Sequence, residues 1–221
     1  MTDIVTLLSG PELPPASGGK PKQLVILLHG LGSDGDDLIG LAPEFAEILP
    51  DAQFLSPNAP FRCDMSPFGY QWFSLLSYDP QAMQKGAEHA APILNHFIDA
   101  SLERFKMKDS QLALVGFSQG TMMSLYVGLR RAQACAGILG YSGALLDSPL
   151  KESVVKSRPE ICLVHGMADP VVPFMALDNA VRNLEAADVP VESHPLSMLA
   201  HGIDQRCIEI GRSFLKRVFK K

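Results

Sequence analysis

Charge and aromatic residues are both scarce in this 221-residue sequence: Asp, Glu, Lys and Arg make up 19% and Phe, Trp and Tyr 7%, against 47% hydrophobic residues. No basic run is denser than Lys216, Arg217, Lys220 and Lys221, and the net charge is −5. A phosphate-binding surface therefore has no electrostatic footprint, which excludes nucleic acid as a partner. No apolar run approaches the roughly 18 residues of a membrane span; the longest strong one, Leu24 to Leu28, is the length of a strand. Met1-Thr2-Asp3 carries an acid where a secretory signal has basic residues, so export is not expected. The four cysteines, Cys63, Cys135, Cys162 and Cys207, contain no C-x-x-C pair. They read as reduced, mostly buried thiols of a cytoplasmic protein.

What is present is a chain rich enough in apolar residues to fold as one domain over residues 1–221. Pro11, Pro14, Pro15 and Pro21 with Gly10, Gly18 and Gly19 break regular structure between Ser9 and Lys22, and an edge strand over Ile4 to Leu8 is expected before that loop. Beyond it, strand-like runs alternate with segments of helical period. Strands are predicted at Leu24–Leu28, Gln53–Leu55, Leu112–Val115, 136–141, Ile161–Val164 and Val191–His194. Helices are predicted over 121–131, on the stripe Phe174, Leu177, Val181, Leu184, and on the stripe Ile203, Cys207, Ile210, Phe214, Val218. Asp79-Pro80 is a cap and first-turn pair for a helix running toward Phe105, which Pro92 either kinks or divides. This alternation implies an α/β fold with a mostly parallel sheet, helices on both faces and ligands at the carboxyl ends of the strands.

At one such strand end lies Gly116-Phe117-Ser118-Gln119-Gly120, a G-x-S-x-G sequence between an apolar strand and a helix. In that context the serine stands on a sharp turn, with glycines where strand and helix approach closely. A serine hydroxyl needs a base oriented by a carboxylate. Asp169, in a loop after the strand at Ile161, and His201, just before the last helix, supply these in the chain order Ser, Asp, His. The N–H of Gln119 and that of Leu31, in His29-Gly30-Leu31-Gly32, are the candidate oxyanion donors.

Rivals remain at several positions. His194 competes with His201 as the base, and Asp147 is the fallback for Asp169, whereas Asp178 falls on an amphipathic helix as solvated surface. His29 and His165 each end a strand and are expected to be held by loop backbone; no metal-binding spacing is present and no cofactor is expected. His89 and His96 are expected to face solvent. The apolar segment from Phe61 to Tyr78 either plugs the core or lines a pocket, and exposed apolar surface there would equally serve a homodimer contact.

The sequence closely resembles the phospholipase/carboxylesterase family of the α/β hydrolases, which includes acyl-protein thioesterases and small bacterial carboxylesterases. The resemblance runs in order through Leu28–Gly32, Gln71-Trp72-Phe73, Gly116–Gly120, His165 to Pro173 and His201-Gly202-Ile203, covering the chain from Leu24 onward. Thr121 departs from it where many members have a further glycine, as does Leu199-Ala200 before the histidine. The resemblance implies an α/β hydrolase without a large cap domain, acting through Ser118, Asp169 and His201 on a small-molecule ester, a lipid or an acylated protein. It places the Phe61–Tyr78 loop at the mouth of the site, so Trp72, Phe73, Leu75 and Leu76, with Val172, are the candidate acyl-binding residues of a shallow, open pocket. A non-catalytic relative that binds a hydrophobic ligand in the same place is the alternative of a different class.

Overall fold

The uninterrupted apolar run Leu24–Leu28 has no polar face to give to solvent, and it lies inside a seven-stranded sheet with helices on either side. The computed structural model describes residues 8–77 and 79–220. Along the chain the strands are β1 (Glu12–Leu13), β2 (Gln23–Leu28), β3 (Ala52–Leu55), β4 (Phe61–Arg62), β5 (Tyr70–Gln71), β6 (Leu112–Phe117), β7 (Gly137–Tyr141), β8 (Glu160–Gly166) and β9 (Val191–Leu196). The large sheet has the order β1-β3-β2-β6-β7-β8-β9, parallel except for β1, while β4 and β5 form a separate antiparallel hairpin.

Alternate residues of each strand feed two cores. On one face Leu24, Ile26 and Leu28 of β2 pack with α3 (Pro80–Phe105), α4 (Gln119–Gly128) and α5 (Met175–Ala186). On the other, Val25 and Leu27 pack with the short helices α1 (Gly35–Leu38) and α2 (Ala42–Ala46) and with α6 (Gln205–Val218). Helix α3 starts on the cap expected of it, the Asp79 carboxylate accepting a hydrogen bond from the Ala82 N–H at 2.8 Å, and α6 starts in the same way on Asp204, which accepts from the Cys207 N–H at 3.1 Å. Pro92 lies inside one continuous helix, α3, and does not start a second.

The structure departs from expectation at the N-terminal edge. Glu12 and Leu13, inside the stretch expected to lack regular structure, pair antiparallel with Leu55 and Phe54. Two residues suffice there because an edge strand bonds on one side only and so tolerates prolines on either flank. The strand expected over Ile4 to Leu8 lies outside the described residues except for Leu8, as does Tyr78. At the opposite edge β9 is half-exposed rather than fully buried. Among the described residues the cysteines are free thiols, Cys63 half-buried and the other three buried, and no helix is long and apolar enough to cross a membrane. No described segment builds a cap domain over the carboxyl ends of the strands.

Candidate active site

The turn from β6 to α4 is set by its glycines. A Cβ on Gly120 would come within 1.8 Å of the Leu28 carbonyl oxygen and one on Gly116 within 2.4 Å of the Thr121 nitrogen, so strand and helix meet at a separation only glycine permits. Between them Ser118 adopts φ 53° and ψ −115°, a conformation costing a non-glycine residue about 1–3 kcal/mol. The surroundings enforce it: the Ser118 N–H donates to the Tyr141 carbonyl at 2.9 Å. Thr121 adds a second fastening. Its hydroxyl lies 2.8 Å from the Gly116 carbonyl and 2.9 Å from that of Tyr141, and its methyl occupies the space left by Gly140 and Gly143. Thr121 therefore ties the ends of β6 and β7 together.

Asp169 follows β8 and is fixed by its own loop. Its Oδ1 accepts from the N–H groups of Val171 and Val172 at 2.8 and 2.9 Å, leaving Oδ2 facing His201 Nδ1 at 2.8 Å. His165, buried at the end of the same strand, brings Nε2 to 3.5 Å from the same Oδ2 while donating to the Val172 carbonyl at 2.9 Å. Burial raises the proton affinity of the Asp169 carboxyl. The hydrogen bonds from His201, Val171 and Val172 outweigh that and hold it below the usual carboxylate value. The loop after β9 that carries His201 is tied to the Asp169 loop by Met167 N–H to Leu196 O and Ala168 N–H to Leu199 O, at 2.9 and 3.0 Å. The His201 ring packs on Phe117, the residue before Ser118, with centroids 4.9 Å apart.

Ser118, His201 and Leu31 line one cavity of about 390 Å³. Its other walls are mainly apolar and include Leu75, Met83, Met122, Val172 and Ala176. Of the candidate acyl-binding residues, Leu75 and Val172 face this cavity. Trp72 and Phe73 do not: both are buried in the core and outside its lining, and the Trp72 indole N–H donates to the His29 carbonyl at 3.0 Å. Leu76 is also off the wall and is 72% exposed. Among its described residues the Phe61–Tyr78 loop thus plugs the core at Trp72 and reaches the pocket at Leu75, so it takes both of the roles expected as alternatives. Helices α3, α4 and α5 supply Met83, Met122 and Ala176, which their apolar stripes could not distinguish from ordinary core.

The rivals fall elsewhere. Asp147 is engaged by Arg130 at 2.5 Å and Gln84 at 2.9 Å, outside the cavity that holds Ser118. His194 sits on β9, 3.7 Å from Glu192, and Asp178 is exposed on α5, as are His89 and His96 on α3. Both ring nitrogens of His29 are taken by backbone: Nε2 accepts from the Ala59 N–H at 2.9 Å and Nδ1 donates to the Gly30 carbonyl at 2.7 Å. That pairing fixes a neutral ring, and burial lowers its pKa further from the usual value. Among the described residues one cluster of metal-ligand type, Cys162, Glu192 and His194, lies at the β8–β9 edge, where Glu192 already pairs with Arg217 at 2.8 Å.

The two candidate oxyanion donors flank Ser118. The N–H of Gln119 is the first of α4, where no carbonyl of the same helix can reach it, and the helix dipole favours negative charge there. The N–H of Leu31 enters no backbone hydrogen bond among the described residues. Its neighbour Gly30 lies so close that an added Cβ would be 3.3 Å from the Ser118 Cβ.

Residues 15–219 match the model of the phospholipase/carboxylesterase family. The chain is 30% identical to acyl-protein thioesterase 1 of Schizosaccharomyces pombe over 78% of its own length and 84% of that protein's. It is 28% identical to acyl-protein thioesterase 1 of Mycosarcoma maydis over 92% and 94%. Among solved structures, esterase PE8 superposes with a TM-score of 0.92 at 38% identity, covering 96% of this chain and 99% of that one. The carboxylesterase of Bacillus cereus shares the fold with a TM-score of 0.79 at 17% identity, covering 96% and 95%.

Proposed function

The chain belongs to the phospholipase/carboxylesterase family of hydrolases, and we propose that it is a serine esterase or thioesterase in which Ser118 is the nucleophile, His201 the base and Asp169 the orienting acid. The observation that carries this reading is the 2.8 Å contact between Asp169 Oδ2 and His201 Nδ1, made beside a cavity that His201 shares with the strained Ser118. With Nδ1 committed to Asp169, Nε2 is the nitrogen left to take the serine proton.

In this mechanism Ser118 Oγ attacks the acyl carbon as His201 Nε2 removes its proton. The N–H groups of Leu31 and Gln119 receive the oxyanion, each supplying about 3 kcal/mol of transition-state stabilisation. Collapse of the tetrahedral intermediate breaks the bond to the alcohol or thiol, which departs with the proton from His201. Water, deprotonated by the same ring, then attacks the acyl-enzyme and frees the acid. The Asp169 carboxylate stabilises the imidazolium at each stage.

The acyl group occupies the cavity against Leu75, Met83, Met122, Val172 and Ala176, where apolar walls bury a methylene chain. Such a chain is common to simple esters, lysophospholipids and acylated proteins. The relatives named acyl-protein thioesterase favour an acylated protein among them. The free thiols fit a reducing compartment, and the proposed location is the cytoplasm. The test is reaction of the wild-type protein with a fluorophosphonate probe and hydrolysis of acyl thioesters and oxyesters. Labelling that Ser118→Ala abolishes is expected; a folded Ser118→Ala protein with near-full activity would overturn the reading.

A further inference from the structure

Gln119 is fully buried, yet its side chain is a polar amide with both ends engaged by another part of the chain. Its Oε1 accepts from the Trp72 N–H at 2.8 Å, and its Nε2 donates to the Phe73 carbonyl at 2.7 Å. The residue that offers its main-chain N–H to the oxyanion is thus bolted through its side chain to the strap Tyr70–Phe73. The same strap holds the other donor loop from both sides. Trp72 reaches the carbonyl of His29 with its indole, while Gly32 N–H donates to Tyr70 O and Tyr70 N–H to Ser33 O, each at 2.8 Å. Leu31 lies between those two fastenings. The His29 ring closes the frame by bonding Gly30 O and Ala59 N–H.

We infer that the Gln119 carboxamide is a positioning group that, through the strap Tyr70–Phe73, sets the separation between the two oxyanion N–H groups. The inference rests on the serine-esterase reading above and gives a role to a side chain that the mechanism itself does not use. At neutral pH a carboxamide suits the site, because one end must accept a hydrogen bond and the other must donate one. A carboxylate of the same shape would turn an acceptor toward the Phe73 carbonyl. A thioether would leave the Trp72 N–H and Phe73 carbonyl buried without partners. Either change lets the strap move relative to α4, and a hydrogen bond to the oxyanion weakens steeply with small displacements.

The experiment compares Gln119→Met and Gln119→Glu with wild type, using a thioester or p-nitrophenyl ester substrate and a trifluoromethyl ketone as the transition-state analogue. Removing an oxyanion donor outright costs about 10²–10³-fold in kcat, so displacement of one or both is expected to lower kcat about 10–100-fold. Analogue affinity falls in parallel while KM changes little. For Gln119→Glu, kcat relative to wild type rises as pH falls, since the protonated acid again offers one donor and one acceptor, and burial raises the pKa at which it does so. A purely structural amide would lower thermal stability alone, and folded variants that bind the analogue within about twofold of wild type and keep its kcat would overturn the inference. If neither variant folds, Trp72→Phe, which takes from the strap both the indole N–H that bonds the His29 carbonyl and part of the buried ring volume, carries the same measurement on the strap itself. A wild-type protein that neither hydrolyses the substrates nor reacts with a fluorophosphonate brings down the serine-esterase reading, and this inference with it. Hydrolysis through Ser118 with unchanged Gln119 variants brings down the inference alone.

Discussion

The Asp169 carboxylate divides its work between its two oxygens: Oδ1 is saturated by the N–H groups of Val171 and Val172, and Oδ2 is turned to His201 Nδ1 at 2.8 Å. The division locks the carboxylate plane, so the ring it faces is held in one tautomer and one orientation. It also makes the aspartate a contributor to folding, because every one of these bonds favours the charged form.

Replacing Asp169 with Asn is expected to lower kcat about 10⁴-fold, as loss of the orienting acid does in such triads. A second effect follows from its lowered pKa. Below the usual value of 3.8 the unfolded chain takes up a proton that the folded carboxylate resists. The stability contributed by Asp169 is therefore fully present above that pH and is lost as the pH falls through the lowered folded value. Urea midpoints of wild type and Asp169→Asn, compared at neutral and acid pH, are expected to converge on acidification. A constant difference would show that the charge is not what the loop stabilises.

The strain at Ser118 separates activity from stability. Ser118→Ala is expected to lower kcat about 10⁶-fold with little change in folding. Ser118→Gly should be equally inactive but more stable, since glycine accepts φ 53° freely. The relief of about 1–3 kcal/mol exceeds the roughly 0.5–1 kcal/mol that glycine's added chain entropy withdraws. The net gain of about 1 kcal/mol corresponds to a rise of about 2–4 °C in Tm for a domain of this size. A glycine variant melting below the alanine variant would mean the turn is not strained.

His29 provides a pH response away from the reacting groups. Its buried, neutral ring has a pKa below the usual 6.5, with desolvation as the main cause and the Gly30 carbonyl opposing it. As pH falls below 6.5 the unfolded chain gains a proton that the folded ring refuses, so folding stability declines from that pH down toward the lowered folded value. His29→Gln, whose amide can still accept from the Ala59 N–H, lacks this decline. Its Tm is expected to lie below that of wild type at neutral pH, with the gap narrowing on acidification; a gap independent of pH would count against a neutral buried ring.

How much of this was legible in the sequence depended on range. Apolar runs fix strands because burial on both faces is a local property, and Leu24–Leu28, Leu112–Val115 and Ile161–Val164 fall within observed strands. Ser118, Asp169 and His201 could be proposed as a set from the sequence because each follows the end of a strand, and parallel strands deliver their ends to one edge. Trp72 was misplaced as a pocket wall because hydrophobicity records that a side chain is buried but not which way it faces. What turns it inward is a set of bonds to Gln119 and His29, distant in sequence. Met83, Met122 and Ala176 were missed for the complementary reason: on their own helices they look like core, and only the convergence of α3, α4 and α5 makes them a pocket. His165 stands four residues before Asp169, yet its approach to Oδ2 depends on how the loop after β8 curls back over Val172.

The cavity makes the final prediction. If its apolar wall receives the acyl chain, each methylene buried contributes about 0.8 kcal/mol, or roughly a fourfold rise in kcat/KM per carbon, until the space of about 390 Å³ is filled. A series of straight-chain p-nitrophenyl esters and acyl thioesters is expected to show that rise followed by a plateau. Ala176 stands on the α5 wall, and a phenyl ring there should occupy the volume meant for the distal carbons. Ala176→Phe is therefore expected to match wild type on acetyl substrates and to lose activity progressively as the chain lengthens, moving the plateau to shorter acyl groups. A wild-type optimum at the shortest chains would argue against a lipidated protein as the substrate. An Ala176→Phe protein equally impaired on every chain length would show that the chain takes another path out of the site.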